Sequence, residues 1–169
     1  MCLEFASLAQ TAAADIVVYK VLRKYKKIPT IESFARQDLA RLPEECEAGP
    51  WYYTPYRARR ISLGLTYSEP EMRRYPSPQA NVHIGLHAFK TLEAAIAEVL
   101  DWPSTCTYRI IVIKCTIPAG STFHTGIFPC AGKELEAIVS DALTYGTEAD
   151  IVYEDDREPI NKIAIPPCA

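Results

Sequence analysis

The alternation of apolar and polar residues along the chain predicts more strands than helices. The β-branched segments 15–22 (DIVVYKVL) and 107–117 (TYRIIVIKCTI) predict two strands, and we expect the second to be central because its apolar run is the longest. Strict alternation over 61–67 (ISLGLTY) predicts a half-buried strand. Apolar runs predict further strands at 81–89, 136–145, 150–153 and 161–165.

Two segments instead carry apolar residues at helical spacing. These are 30–42 (TIESFARQDLARL) and 91–100 (TLEAAIAEVL), and each begins at a threonine that can cap a helix. Strands and helices do not alternate regularly, which favours an α+β fold over a doubly wound sheet. We therefore predict a single compact domain over residues 1–169, with a mostly antiparallel sheet and two main helices. Flexible ends are expected at 1–14 and 166–169.

Composition narrows the class of protein. The chain is 49% hydrophobic and 23% charged, as is usual for a globular domain, and its net charge of −3 argues against general nucleic-acid binding. No apolar run approaches the roughly 20 residues of a membrane span, and the start lacks the basic region of a secretory signal. We therefore expect a cytoplasmic protein without a membrane partner, whose six cysteines are free thiols.

The most unusual stretch is the aromatic–arginine segment, residues 51–60 (WYYTPYRARR). Aromatic rings stack nucleobases, and the planar guanidinium fork suits phosphate. The residues expected to stack a base are Trp51, Tyr53 and Tyr56, and those expected to hold phosphate are Arg57, Arg59 and Arg60. The structural alternative, in which the rings belong to the core and the arginine stems cover it, stays open.

Three further residues are expected to line the polar side of the same pocket, namely His87, Ser140 and Asp141. His87 follows Gly85, which marks a bulge or a close backbone approach within the strand predicted at 81–89. Asp141 is expected to accept hydrogen bonds from ribose hydroxyls. The phosphate-loop, Rossmann, zinc-protease and hydrolase motifs are missing, and no histidine–cysteine spacing matches a zinc site. We expect no cofactor, no metal and no catalytic residue.

An enzyme remains an alternative because of Glu134 and Glu136, an ExE pair just before an apolar run. The pair resembles the glutamate loop of ADP-ribosyltransferases, in which a carboxylate holds the nicotinamide ribose. That family also has an arginine on an early strand and a strand with the sequence Ser-Thr-Ser. This chain offers only weak substitutes for both. An NAD-cleaving or transferase activity would use Glu136.

The order of motifs carries a second resemblance. From "DIVVYKVL" through "WYYTPYRARRISLGLTY", "VHIGLHAFKTLEAA" and "IIVIKCTIPAGSTFHTGIF" to "IVSDALTY", the chain resembles a group of small bacteriophage-encoded accessory proteins. The resemblance spans about residues 15–145. It implies a product acting in the host cytosol, and small phage proteins of this kind often counter host defence.

These observations together predict a non-catalytic protein that sequesters a small nucleotide-derived immune signal, such as a cyclic ADP-ribose-like molecule or a cyclic nucleotide. Two alternatives stay open: the Glu136 enzyme, and a protein–protein inhibitor in which the rings of 51–56 form a binding hot spot. A homodimer is compatible with each of them.

Overall fold

A computed structural model of the protein describes residues 3–33, 59–75, 80–101, 107–130 and 132–157. The strands before the helix are β1 Gln10–Thr11, β2 Ile16–Tyr25, β3 Ile31–Ser33, β4 Arg59–Arg60, β5 Thr66–Ser68, β6 Arg73–Arg74, β7 Val82–Ile84 and β8 Leu86–Phe89. The helix α1 is Leu92–Asp101. The strands after it are β9 Tyr108–Ile117, β10 Thr122–Cys130, β11 Lys133–Ser140, β12 Ala142–Tyr145 and β13 Ile151–Glu154, with a short 3-10 turn at Glu148–Asp150.

The centre of the fold is a long pairing between β2 and β9. The two strands run antiparallel and in register from Ile16↔Ile117 to Tyr25↔Tyr108. β9 also pairs with β12 and β13 on its other side, so the prediction that 107–117 forms a central strand is confirmed. The main sheet has 11 strands in the order β1-β10-β11-β8-β2-β9-β12-β5, with β13, β3 and β4 off this path, and β6 and β7 form a second small sheet. All of the pairings between the described strands are antiparallel, as predicted.

Both faces of this sheet are apolar because successive residues of a strand point to opposite sides. On the face that α1 covers, here called the helix face, Val21 and Val112 lie in one cluster with Ala95 and Val99 of the helix. On the opposite face, Val18 and Leu22 lie in a second cluster, together with Ile111, Ile113 and Cys115. The chain is therefore one domain whose sheet separates two cores.

The helix forms where its sequence predicts it. Thr91 caps it, since the Thr91 hydroxyl accepts a hydrogen bond from the backbone N–H of Ala94 at 3.1 Å. It is the one α-helix in the described residues. No helix of the described ranges is long and apolar enough to cross a membrane.

The prediction of a second helix at 30–42 is wrong over its first residues. Residues Ile31–Ser33 form β3, which pairs with Leu22–Lys24 of β2. This pairing buries Ile31 and Ser33 at 8% and 3% exposure, so the backbone pairing with β2 overrides the local helical spacing. Residues 34–42 lie outside the described ranges, as does the strand predicted at 161–165.

Three other strand predictions need correction, and the one at 136–145 is divided at Asp141 into β11 and β12. In 61–67, only the end is extended, because a turn at Leu63–Gly64 precedes β5 and Gly64 has a φ of 78°. The strand predicted at 81–89 is divided at Gly85 into β7 and β8, which belong to different sheets. A Cβ at residue 85 would lie 2.3 Å from Val139 Cγ1, so the expected close approach at this glycine is confirmed.

Candidate functional site

The aromatic–arginine segment ends in a short ladder that joins it to the basic end of β2. Arg59 and Arg60 form β4 and pair with Ser33 and Glu32 of β3. β3 in turn pairs with Leu22 and Arg23 of β2. The ladder therefore places Arg59 and Arg60 near residues of β2, which precede them by more than thirty positions. Trp51, Tyr53, Tyr56 and Arg57 lie outside the described residues, and for Arg59 only the backbone is described.

Five side chains meet around this ladder, and we call them the arginine–tyrosine cluster: Arg23, Tyr25, Glu32, Arg60 and Tyr108. The register places them together, because residues directly opposite one another on paired strands point to the same face of the sheet. Arg23 is opposite Glu32, Glu32 is opposite Arg60, and Tyr25 is opposite Tyr108. All five lie on the helix face, at the end of the sheet where β2 finishes.

The cluster combines stacking with positive charge. The Arg23 guanidinium carbon lies 5.0 Å from the centroid of the Tyr108 ring, within the range of a cation–π contact. The rings of Tyr25 and Tyr108 meet edge to face with centroids 6.0 Å apart. The side chain of Arg60 is exposed, and it makes no ion pair or hydrogen bond within the described part of the chain.

Glu32 is held by a tyrosine rather than by either arginine. The Tyr25 hydroxyl donates to Glu32 Oε2 at 2.9 Å. This hydrogen bond is the main reason that the pKa of Tyr25 is raised above its ordinary value. The hydrogen bond holds the Glu32 carboxylate on the strand that lies between those of Arg23 and Arg60.

His87 is placed inside the protein, on the helix face of β8. Its side chain is 4% exposed. Nδ1 lies 2.9 Å from the Gly85 carbonyl oxygen, and Nε2 lies 3.3 Å from that of Val82. Burial first, and then neighbouring positive charge, lowers the pKa of His87 from 6.5 to about 3. The imidazole is therefore neutral near pH 7, and since it then carries one N–H, it donates to one of these two carbonyls.

Ser140 and Asp141 lie at the junction of β11 and β12. Ser140 is fully buried, and its hydroxyl donates to the Ala142 carbonyl at 2.7 Å. Asp141 is partly exposed, and its Oδ1 accepts the Thr122 N–H at 3.0 Å. The Asp141 carbonyl also accepts the N–H of Glu69 at 2.7 Å. Both residues hydrogen-bond the backbone where three segments meet, and the structure does not bring them to the arginine–tyrosine cluster.

Glu134 and Glu136 lie on the exposed side of β11. Glu136 forms an ion pair with Lys90 at 3.7 Å, and its side chain is 66% exposed. His87 is opposite Val139 in the β8–β11 pairing, so its ring lies on the other face of the sheet from Glu136. The structure therefore does not bring His87 and Glu136 together. The described residues contain no group of three His, Cys, Asp or Glu side chains suited to a metal ion.

Sequence reasoning missed one feature, a lysine inside the core of the opposite face. Lys20 is 8% exposed, and its ammonium group donates to the His87 carbonyl oxygen. Within 15–22, the even positions read Ile, Val, Lys and Leu, so strict alternation places Lys20 on an apolar face. That alternation is the signal in the sequence that could have found it.

Comparison with models of known protein families, with curated proteins and with solved structures gave no match.

Proposed function

We propose that the protein binds and sequesters a small nucleotide-derived signal, of the cyclic ADP-ribose or cyclic nucleotide class, without converting it. In the setting that the phage resemblance implies, it would do so in the cytosol of a host cell. The observation that carries the proposal is the ladder that joins Arg60 to Arg23 and Tyr108. Through it, the end of the aromatic–arginine segment and a second arginine–aromatic pair occupy one surface.

The parts of the cluster match the parts of a nucleotide. Arg60 is exposed and has a planar fork that pairs with two phosphate oxygens. The Arg23 guanidinium already stacks on the face of the Tyr108 ring. A purine would stack in the same way on the other ring of the cluster, that of Tyr25. A ligand stacked here would lie within reach of phosphate contacts from two arginines. The cluster needs no acid, base or nucleophile for such binding.

Charge around the cluster favours an anionic ligand. Lys26 and Lys27 follow β2 directly and are exposed, so they add positive charge at the same end of the sheet. Exposed charges of this kind act mainly by steering, and salt screens them over about 10 Å at ordinary ionic strength. Binding of a phosphorylated ligand should therefore weaken as salt is raised, whereas stacking should not.

The test is a binding series on purified protein with NAD, ADP-ribose, cyclic ADP-ribose isomers and cyclic dinucleotides. Each compound is titrated by calorimetry, and the bound compound is then released by heat and identified by chromatography. We expect at least one phosphorylated compound to bind and to be recovered intact. Recovery of nicotinamide or of another cleaved product would overturn the proposal in favour of the Glu136 enzyme.

Two substitutions test whether the arginine–tyrosine cluster is the binding site. Loss of a charge-assisted hydrogen bond is worth about 1.5–3 kcal/mol, so Arg60→Ala should weaken binding by about 10- to 100-fold. The matched control is Arg109→Ala, because Arg109 is exposed on the opposite face of β9 and pairs with Glu154 at 3.1 Å. Equal effects of the two substitutions, or no effect of Arg60→Ala on a compound that binds, would exclude the cluster as the site.

A further inference from the structure

A carboxylate lies in the middle of the arginine–tyrosine cluster. Glu32 is on β3, which pairs with β2 on one side and with β4 on the other, and its neighbours across these strands are Arg23 and Arg60. A negative charge at this position repels a phosphate group, so it weakens the binding of an anionic ligand unless it also contacts a donor on that ligand. The cluster therefore contains one group that phosphate binding by itself does not require.

This carboxylate is held at the edge of the ring that we assign to base stacking. The Tyr25 hydroxyl donates to Glu32 Oε2 at 2.9 Å, so the carboxylate lies beside the hydroxyl end of the Tyr25 ring. Both side chains are partly exposed. Pairing on both edges of β3 fixes the backbone that carries Glu32. A base stacked on the face of the Tyr25 ring would therefore bring its own edge to the carboxylate.

We propose that Glu32 selects guanine over adenine in the ligand of the arginine–tyrosine cluster. This inference rests on the proposed function and narrows its ligand to a guanine-containing cyclic nucleotide. Guanine presents two neighbouring donors on its Watson–Crick edge, N1–H and the 2-amino group, whereas adenine has an acceptor at N1. A carboxylate accepts hydrogen bonds at about four lone-pair positions, so the bond from Tyr25 leaves room for both guanine donors. The adenine N1 acceptor would instead face a negative charge.

The other members of the cluster do not distinguish the two purines in this way. Arginines bind phosphate whatever base accompanies it, and stacking on a tyrosine ring tolerates every base. Glu32 is the one acceptor-only side chain among the five that define the cluster. A site that hydrogen-bonds a donor of its ligand binds the analogue without that donor less well, because the acceptor then loses its partner. The preference for guanine should therefore depend on Glu32.

The experiment is a calorimetric titration of the folded protein with matched guanine and adenine compounds. The pairs are cyclic GMP with cyclic AMP, and cyclic di-GMP with cyclic di-AMP. We expect the guanine member of a pair to bind more tightly than the adenine member by about tenfold or more. Cyclic IMP keeps N1–H and lacks the 2-amino group, so its affinity should lie between those of cyclic GMP and cyclic AMP. Equal affinities within the pairs, or tighter binding of adenine, would overturn the inference.

Two substitutions test the carboxylate and the hydroxyl that holds it. Glu32→Gln should weaken binding of the guanine compound by about 10- to 100-fold. It should leave the adenine compound unchanged or more tightly bound, because it removes a negative charge near the phosphate. Tyr25→Phe keeps the ring and removes the hydroxyl, so it should reduce the preference for guanine more than it reduces adenine binding. The matched control is Glu154→Gln, because Glu154 pairs with Arg109 on the opposite face of the sheet.

The outcomes separate this inference from the proposed function. Binding of cyclic ADP-ribose, whose base is adenine, without binding of any guanine compound would keep the proposed function and overturn the role of Glu32. A guanine preference that survives Glu32→Gln, or equal losses for both bases in that variant, would also overturn it. If Glu32→Gln fails to fold, the wild-type pairs and Tyr25→Phe decide. Absence of binding of every compound would overturn both proposals.

Discussion

Lys20 and Arg23 are two basic residues three positions apart on one strand, and their side chains point to opposite faces of the sheet. Lys20 points into the apolar core opposite the helix and has one backbone carbonyl as its hydrogen-bond acceptor within the described chain. Arg23 points to the helix face, is partly exposed, and lies over the ring of Tyr108. The difference follows from the alternation of an extended strand, since an odd spacing places two residues on opposite faces.

The comparison separates a region whose protonation is coupled to folding from one that lies at the surface. In the two cores, burial moves the pKa values of Lys20 and Cys115 on one face and of His87 on the other, so proton uptake and folding are linked. The arginine–tyrosine cluster instead presents the exposed side chain of Arg60 at the surface.

The largest expected effect is acid destabilisation through His87. Between its folded-state pKa of about 3 and its ordinary value of 6.5, the unfolded chain binds the proton and the folded chain does not. Stability therefore falls as the pH falls below 6.5, and at pH 4 this one group should lower the free energy of unfolding by about 3 kcal/mol. Urea unfolding at several pH values between 4 and 7 measures the slope.

The variant for this measurement is His87→Gln, which keeps an N–H donor for the Gly85 carbonyl and does not titrate. We expect it to be less stable than the wild type near pH 7, because glutamine cannot reproduce the fit of the ring. Its stability should nevertheless depend less on pH. A slope as steep as that of the wild type would show that His87 is not the group responsible.

A smaller effect of the same sign, at higher pH, is expected at Lys20. Its folded-state pKa of about 8 lies below 10.5, so the unfolded chain binds more protons between these values and stability rises with pH over that range. Below pH 8 the burial penalty is about 3 kcal/mol. Lys20→Met removes the penalty but leaves the His87 carbonyl without this donor, at about 1 kcal/mol. The variant should therefore be about 2 kcal/mol more stable near pH 7.

The control for this change is Lys24→Met. Lys24 lies on the same face of β2, is more exposed, and forms an ion pair with Glu148 at 3.1 Å. An exposed ion pair contributes little, so this variant should differ from the wild type by less than about 1 kcal/mol. Unfolding curves near pH 7 and pH 10 distinguish the two variants. A Lys20→Met variant that is less stable than the Lys24→Met variant would contradict the assigned burial penalty.

The smallest effect concerns Arg23. Arg23→Ala removes a cation–π contact and the packing of the arginine stem, which together should cost about 1 kcal/mol. The loss should be the same at pH 5 and pH 7, unlike the effect at His87. Arg73→Ala is the matched control, because Arg73 lies 5.2 Å from the Tyr75 ring in an exposed pair. A pH-dependent loss at Arg23 would show that the two regions are coupled.

Several elements of the fold could be predicted from local pattern. The β-branched runs identify β2 and β9, the capped apolar stripe identifies α1, and the glycine at 85 identifies the break before β8. The sequence of β10 does not predict a strand, because Gly126 and Pro129 interrupt the alternation of apolar and polar residues. Its pairing with β11 over Phe123–Cys130 decides its conformation instead. Ile31–Ser33 likewise became a strand through pairing with β2.

The sequence by itself determined the residue types available to the candidate site and the parity of each strand position, because both are properties of a local pattern. It marked residues 51–60 as unusual and contained the alternation that places Lys20 in an apolar row. Only the tertiary structure decided which residues meet. Backbone pairing between β2, β3, β4 and β9 brings Arg23, Arg60 and Tyr108 to one surface across large sequence separations. Hydrogen-bond register is a relation between distant segments, so no single segment contains it.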